Sequence, residues 1–352
     1  MAIIQLLKII SIIPFLSSCA AKGPHENPEK VIEVMFYNVE NLFDTKDDSK
    51  VNDSDYTSKG RRNWTIDKYE TKLNNLAKVI KNIDNGDLPD IIGLCEVENR
   101  GVVKDLMVKT GGNYAISHFD SPDARGIDVA LVYNDSFYTL INEEPIFVSI
   151  KPLASKSKGL NASDKADMVK SNYNGKTRNI LKTILKSNKD TFAFFTCHFP
   201  SRRGGQQESS YKREQAAAIL KNAVQETKKE YPRIKILIMG DFNDEPVNKS
   251  IHTVLGAKKP EDLESDLYNL FYDLDEKEEG SYRYRGQMNM LDQFIISKNW
   301  WNSKIESRIF KPSWLIQTGK YAGYPLRTFG GKNYLAGYSD HFSIFTRIPL
   351  NN

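Results

Sequence analysis

The chain has 352 residues, 40% of them hydrophobic and 27% charged, which excludes a disordered, collagen-like or coiled-coil protein and allows one large core or two ordinary ones. Lys+Arg 49 against Asp+Glu 45 leave a net charge of +4, so any basic surface for nucleic acid must be local. Three cysteines exclude a disulfide-dense scaffold, while 17 Tyr and 17 Phe favour a β-rich core.

The longest apolar run, Ile3 to Leu16, is interrupted by Lys8. It is shorter than the about 20 residues that span a bilayer and suits the apolar region of a secretory signal. Leu16-Ser17-Ser18-Cys19 is similar to a bacterial lipobox, in which cleavage leaves Cys19 as a lipid-modified N-terminus. The expectation is a lipoprotein-type signal peptide over 1–19, a Gly- and Pro-bearing tether over 20–30 and a folded domain over 31–350. Such a protein is exported and attached to the cell envelope through its lipid alone.

Short apolar runs then recur at Val31–Phe36, Ile91–Leu94, Val129–Tyr133, Ile180–Leu185, Thr191–Thr196, Ile234–Met239, Leu291–Ile296 and Phe342–Ile348. Their length and their β-branched and aromatic content predict buried strands. Thr65 to Ile83 carries Ile66, Tyr69, Leu73, Leu76, Ala77, Ile80 and Ile83 at helical spacing, and Gln207 to Glu230 holds an Ala-rich stretch. Both predict helices. Lys46 to Asn63 and Lys151 to Lys176 are polar and predict long loops. No repeat and no central linker divides the chain, so a single mixed α/β domain is expected.

Acidic, amide and imidazole residues gather where the predicted strands end. Asn38 and Glu40 follow Phe36-Tyr37, Glu96 follows Leu94-Cys95, and His198 follows Thr196-Cys197. Asp241 and Asn243 follow Met239-Gly240, Asp292 starts a strand, and Asp340-His341 precedes another. A carboxylate inside an apolar strand is costly unless paired or metal-bound, so these strand ends imply one polar cleft over a rigid sheet. Strand alternation directs Asn38 with Glu40, and Asp241 with Asn243, to one side each. Gly240 allows close backbone approach before Asp241. The same alternation points Cys95 and Cys197 away from the cleft, with buried free thiols the default and a disulfide the alternative outside the cytoplasm.

Tyr37-Asn38-Val39-Glu40-Asn41, Gly93-Leu94-Cys95-Glu96-Val97, Thr196-Cys197-His198, Gly240-Asp241-Phe242-Asn243, Leu291-Asp292 and Ser339-Asp340-His341 together resemble the endonuclease/exonuclease/phosphatase superfamily, in family order from about Val31 to Ile348. The resemblance implies an α/β fold, a four-layered sandwich of two central mixed β-sheets flanked by helices. It implies Glu96 as the main metal carboxylate, with Asn38, Glu40 and Asp340 beside it. It also implies Asp241 and Asn243 as the pair that positions water and phosphate, His341 as a catalytic histidine oriented by Asp292, and His198 as a second histidine against phosphate. Cys95 stands where the family often has Gln. The family's ion is a divalent cation, here expected to be Mg²⁺, with Mn²⁺ or Ca²⁺ as alternatives.

No zinc-type Cys/His cluster and no phosphate-binding Gly-rich motif competes with this chemistry. Arg202 and Arg203, in a Gly-bearing loop after His198, and Arg178, before a strand, are candidate phosphate contacts. Tyr282-Arg283-Tyr284-Arg285 forms either an edge strand or a nucleic-acid contact. The leading expectation is an exported nuclease cleaving DNA or RNA. The alternatives are a phosphatase or phosphodiesterase of inositol phosphates, phospholipid head groups or nucleotides, and a non-catalytic surface-binding lipoprotein. A phosphoester is the expected partner, and nothing in the sequence requires a protein one.

Overall fold

A computed structural model describes residues 31–84, 86–152, 175, 177–187 and 190–350. The signal peptide, Cys19 and the tether lie outside those residues, as does most of the Lys151–Lys176 segment. Among the described residues, no helix is long and apolar enough to cross a membrane.

β1 (Val31–Leu42) extends the predicted strand through Asn38 and Glu40. α1 (Ile66–Asn82) starts where the Thr65 side chain accepts from Lys68 N, and its Leu73, Leu76, Ala77 and Ile80 stripe is buried. β2 (Ile91–Val97) precedes α2 (Arg100–Thr110), which buries Val102, Val103, Leu106 and Met107 and is delimited by Asn99 accepting from Val102 N and by left-handed Gly111. β3 (Tyr114–His118), β4 (Asp128–Asn134), β5 (Thr139–Ile146), β6 (Ile180–Ser187) and β7 (Asp190–His198) lead to the long α3 (Gln206–Glu230). β8 (Lys235–Asp241), the short β9 (Ala257–Lys258) and β10 (Leu267–Asn269), and a one-turn α4 (Tyr272–Glu276) follow.

β11 (Tyr282–Tyr284) and β12 (Gln287–Asn289) form a hairpin whose Arg285 and Gly286 both have positive φ, the requirement of a two-residue turn matched to strand twist. β13 (Asp292–Ser297), β14 (Glu306–Phe310), the pair β15 (Phe329–Gly330) and β16 (Asn333–Tyr334), and β17 (Ser343–Pro349) complete the chain.

Two mixed sheets result, one in the order β14-β17-β1-β2-β4-β3 and one in the order β5-β6-β7-β8-β13-β10-β9. Each contains a central parallel pair, β1 with β2 and β7 with β8, flanked by antiparallel strands. The sheets pack face to face. A Cβ on Gly93 of β2 would stand 2.4 Å from Met239 Sδ of β8, so the two sheets come close together at this glycine. Alternation then sorts the second sheet: Phe192, Phe194, Leu237 and Met239 join the core between the sheets, while Ala193, Phe195, Ile236 and Ile238 pack under Ala216, Ala217, Leu220 and Val224 of α3. With α1 packed on the first sheet, the layers run helix, sheet, sheet, helix.

Candidate active site

Strand register assembles the centre. His198 of β7 and Asp292 of β13 both stand opposite Asp241 of β8. Residues in one row share a face, and Phe194, Met239 and Phe294, an even number of steps away, put that face between the sheets. The apolar core therefore ends at its rim in a histidine and two carboxylates. From the opposite sheet, Asn38 Nδ2 donates across the gap to Asp241 Oδ2 at 3.1 Å. Gly240 is needed beside this row, because a Cβ there would stand 2.4 Å from Cys197 O.

Regular alternation does not continue through the first sheet's contribution. Register shifts occur between Asn38 and Leu42 in β1 and between Cys95 and Val97 in β2. Glu40, Asn41 and Glu96 have φ of 50°, 56° and 62°, a left-handed conformation that costs a non-glycine residue on the order of 1 kcal/mol or more. Such bulges re-aim side chains next to sites. The Glu96 carboxylate ties the two together by accepting from Asn41 N at 3.0 Å. The bulges also correct one expectation. Cys95 pairs in register with Asn38 and turns inward, where burial raises its thiol pKa and Asp241, Glu96 and Asp292 push it further. Cys197 does face α3, and both thiols are free and buried.

His341 enters from the residues just before β17. Its Nδ1 donates to Asp292 Oδ2 at 2.6 Å, its backbone N–H donates to Ser339 Oγ, and Ser339 Oγ donates to Asn38 O at 2.6 Å. The Tyr282 ring lies 4.7 Å from the imidazole at 33°. Nε2 is thereby aimed toward Asp241 Oδ2, 3.9 Å away, with His198 Nε2 at 3.6 Å from the same oxygen. Asn243, φ 51°, folds back so that its N–H donates to Asp241 Oδ1 and its amide to Phe199 O.

These contacts set three protonation states. Burial would lower His341, but Asp292 overrides it and holds the imidazole up to about 10. Burial pushes Asp241 up to about 7 against the pull of His341. Burial, with Arg178 and Arg125, holds His198 well below the ordinary histidine range, and its Nδ1 has no partner among the described residues. At neutral pH the centre thus pairs a charged imidazole with a carboxylate poised to exchange a proton.

Beside it lies an acidic group. Glu40, almost fully buried, accepts from Arg327 Nε at 3.0 Å and from Thr328 N at 2.6 Å, and burial together with Asp340 raises its pKa. Arg327 also reaches Asp340 Oδ2 at 2.9 Å. Buried Lys72 donates to Thr328 Oγ1, and burial lowers its amine to about 8 while Glu40, Asp340 and Glu96 pull it back. Neither Arg327 nor Lys72 stands in a sequence motif; Ser339, adjoining Asp340-His341, does.

The residues present fit a divalent cation. Glu96 uses Oε2 for Asn41 and leaves Oε1 4.0 Å from His198 Nε2, Asp340 uses Oδ2 for Arg327, and Asn38 Oδ1 accepts from Glu40 N, so Glu96 and Asp340 each keep one carboxylate oxygen for an ion. Hard oxygen donors of this kind suit Mg²⁺-like ions. Glu40 has both oxygens engaged by Arg327 and Thr328. Asp241, Asp292 and His341 also bring ligand-type atoms within 4.8 Å of one another, but His341 Nδ1 is committed to Asp292, which makes them a proton-handling group instead.

The arginines divide. Arg178 is buried and committed to Asp123 and to Phe199 O, which also accepts from Asn243, while Arg202 is committed to Asn243 O and Asn289 Oδ1. Arg203 is exposed.

A four-layered sandwich with a histidine–carboxylate centre at the rim of its two sheets defines a class of phosphoester hydrolases. The model of the Endonuclease/Exonuclease/phosphatase family matches residues 33–349, and the chain belongs to that family. Its members depend on divalent metal. Among solved structures, the catalytic domain of human Nocturnin with bound sulfate is similar at 17% identity and TM-score 0.54, covering 91% of this chain and 95% of that one. A Bacteroides thetaiotaomicron mannosyl-6-phosphatase is similar at 14% identity and TM-score 0.54, covering 91% and 100%. D. rerio TDP2 complexed with a single-strand DNA product is similar at 13% identity and TM-score 0.52, covering 92% and 100%. No curated protein matches the chain.

Proposed function

We propose that this protein is a Mg²⁺-dependent nuclease that hydrolyses phosphodiesters by in-line attack of water. Asp241, near its titration midpoint at neutral pH, accepts the proton of the attacking water. Asn243 and Asn38, braced on Asp241, orient that carboxylate and the phosphate beside it. The His341 imidazolium, held by Asp292, stabilises charge on the phosphoryl oxygens, and neutral His198 assists at the leaving group. Glu96, Asp340 and Asn38 would hold the cation, with Glu40 and Arg327 fixing Asp340. When bound, the cation supplies Lewis-acid stabilisation of the developing charge.

The observation that favours a polymeric substrate is the β11–β12 hairpin. Its Tyr282 covers His341, while Tyr284 and Arg285 project into solvent with the guanidinium 5.2 Å from the Tyr284 ring. An aromatic and a cation beside the centre suit a base and a phosphate of a bound strand. The structural neighbour carrying a single-strand DNA product is in keeping with this reading.

The test is parallel assay of plasmid DNA, RNA, a phospholipid and a phosphomonoester with Mg²⁺, Mn²⁺ and Ca²⁺. Polymer cleavage far above the others is expected; preference for the monoester would replace nuclease with phosphatase. We further propose export and lipid anchoring at Cys19. Cys19→Ala protein should leave the membrane fraction, and its retention there would end that proposal.

A further inference from the structure

A cavity of about 280 Å³ opens beside the catalytic centre, lined by Glu40, Asn41, Tyr56, Arg62, Arg327 and Thr328, with Phe329 and Gly331 closing it. Its volume is just under the ~300–1,000 Å³ of small-molecule sites, so it suits one part of a larger substrate. Arg327 joins it to the centre by bonding Glu40 inside the cavity and Asp340 beyond it. The walls are fixed, since Tyr56 stacks on Phe43 at 4.3 Å and Trp64 Nε1 donates to Phe43 O.

Arg62 differs from the other lining cation. Arg327 is neutralised by two carboxylates. Asp55, whose backbone carbonyl accepts from Arg62 N, gives its carboxylate to Arg61 instead. The Arg62 guanidinium is held 4.6 Å from the Phe329 ring and by a single bond from Nη1 to Gly331 O. Its Nε is buried without an acceptor, and among the described residues no ion pair uses it. A pre-oriented guanidinium with most N–H groups unused is the group that recognises an oxyanion in fork geometry.

We propose that this cavity is a second phosphate subsite, in which Arg62 binds a phosphoryl group of the substrate other than the one cleaved. The inference rests on the phosphoester-hydrolase reading and adds that preferred substrates carry a neighbouring phosphate. Its size admits that phosphoryl group with part of the sugar bearing it.

The full chain and its Arg62→Gln and Arg62→Lys variants are assayed with Mg²⁺ on a thymidine dinucleotide with and without terminal phosphates. The wild-type protein is expected to favour the phosphorylated form in kcat/KM by about ten- to a hundredfold, the scale of one charge-assisted hydrogen-bond set, mostly through KM. Arg62→Gln brings that ratio near one, and Arg62→Lys, which keeps the charge without the fork, falls between. An unchanged ratio in Arg62→Gln, or no wild-type preference, overturns the subsite. If the wild type cleaves only phosphomonoesters, the nuclease reading fails by itself. The ratio is then read on a sugar bisphosphate against the monophosphate: a wild-type preference that Arg62→Gln abolishes supports the subsite, and its absence or persistence overturns it.

Discussion

Asp292 Oδ2 lies 2.6 Å from His341 Nδ1, and this pair sets the charge of the imidazole that faces Asp241. The raised His341 pKa of about 10 means that its charge is present at neutral pH and lost only as pH rises through that value. Asp292→Asn keeps the size of the side chain and removes the charge that sustains the imidazolium. Activity at pH 8 should fall about 10²–10⁴-fold, the cost of disabling a carboxylate–histidine pair. Lowering pH re-protonates His341 in the variant, so its deficit relative to wild type should narrow toward pH 6. A deficit constant across pH would assign Asp292 a purely steric role.

Asp241 is the group proposed to take the proton of water, and burial has already raised it to about 7. Asp241→Asn should therefore lower kcat by at least about 10³-fold. Because the folded chain holds a proton that the unfolded chain releases, the wild type loses stability as pH rises through 7, and the variant should not. Thermal melts at pH 6 and pH 8 check this: the wild-type midpoint should drop more than the variant's. Equal drops would mean that Asp241 is fully ionised throughout.

Most of this centre was legible because it is built from register. His198 and Asp241 end apolar runs and Asp292 starts one, so a parallel β7–β8 pair and an antiparallel β8–β13 pair bring all three to one rim. Alternation failed at Glu40, Asn41 and Glu96, where left-handed residues bulge the strands, since a bulge leaves no period to read. Arg327 was silent for another reason. It lies in an irregular segment, and its importance comes entirely from reaching Glu40, 287 positions away in sequence. Helix α2 was not predicted, although Val102, Val103, Leu106 and Met107 stand at helical spacing between Asn99 and Gly111.

Glu96 combines a functional position with strained backbone, φ 62°. Glu96→Gln preserves an acceptor for Asn41 N and removes the carboxylate charge. The apparent Mg²⁺ requirement should rise about 10–100-fold, with activity recovering at high Mg²⁺ and vanishing for both proteins in chelator. Glu96→Gly should be inactive yet at least as stable as Glu96→Gln, because glycine occupies the left-handed region without penalty. An unchanged metal requirement in Glu96→Gln would move the cation to other ligands.

Far from the centre, Glu33 of β1 stands opposite Arg347 of β17 and bonds its Nε at 3.1 Å, while Arg347 and Arg308 hold fully buried Asp84. Burial and the neighbouring Asp84 carboxylate raise Glu33 from its ordinary 4.5 to about 7, so Glu33 carries the proton the two acids share. The sign follows from proton binding. Between those values the folded state binds the proton more tightly than the unfolded chain, so this contribution is whole below about pH 4.5 and is lost as pH rises through 7. Glu33→Gln copies the protonated form permanently, accepting from Arg347 and donating to Asp84. Its melting midpoint should match the wild type at pH 5 and exceed it by a few degrees at pH 8, in line with on the order of 1–2 kcal/mol after solvent screening. Superimposable pH profiles would place the shared proton elsewhere in the Glu33–Asp84–Arg347 cluster.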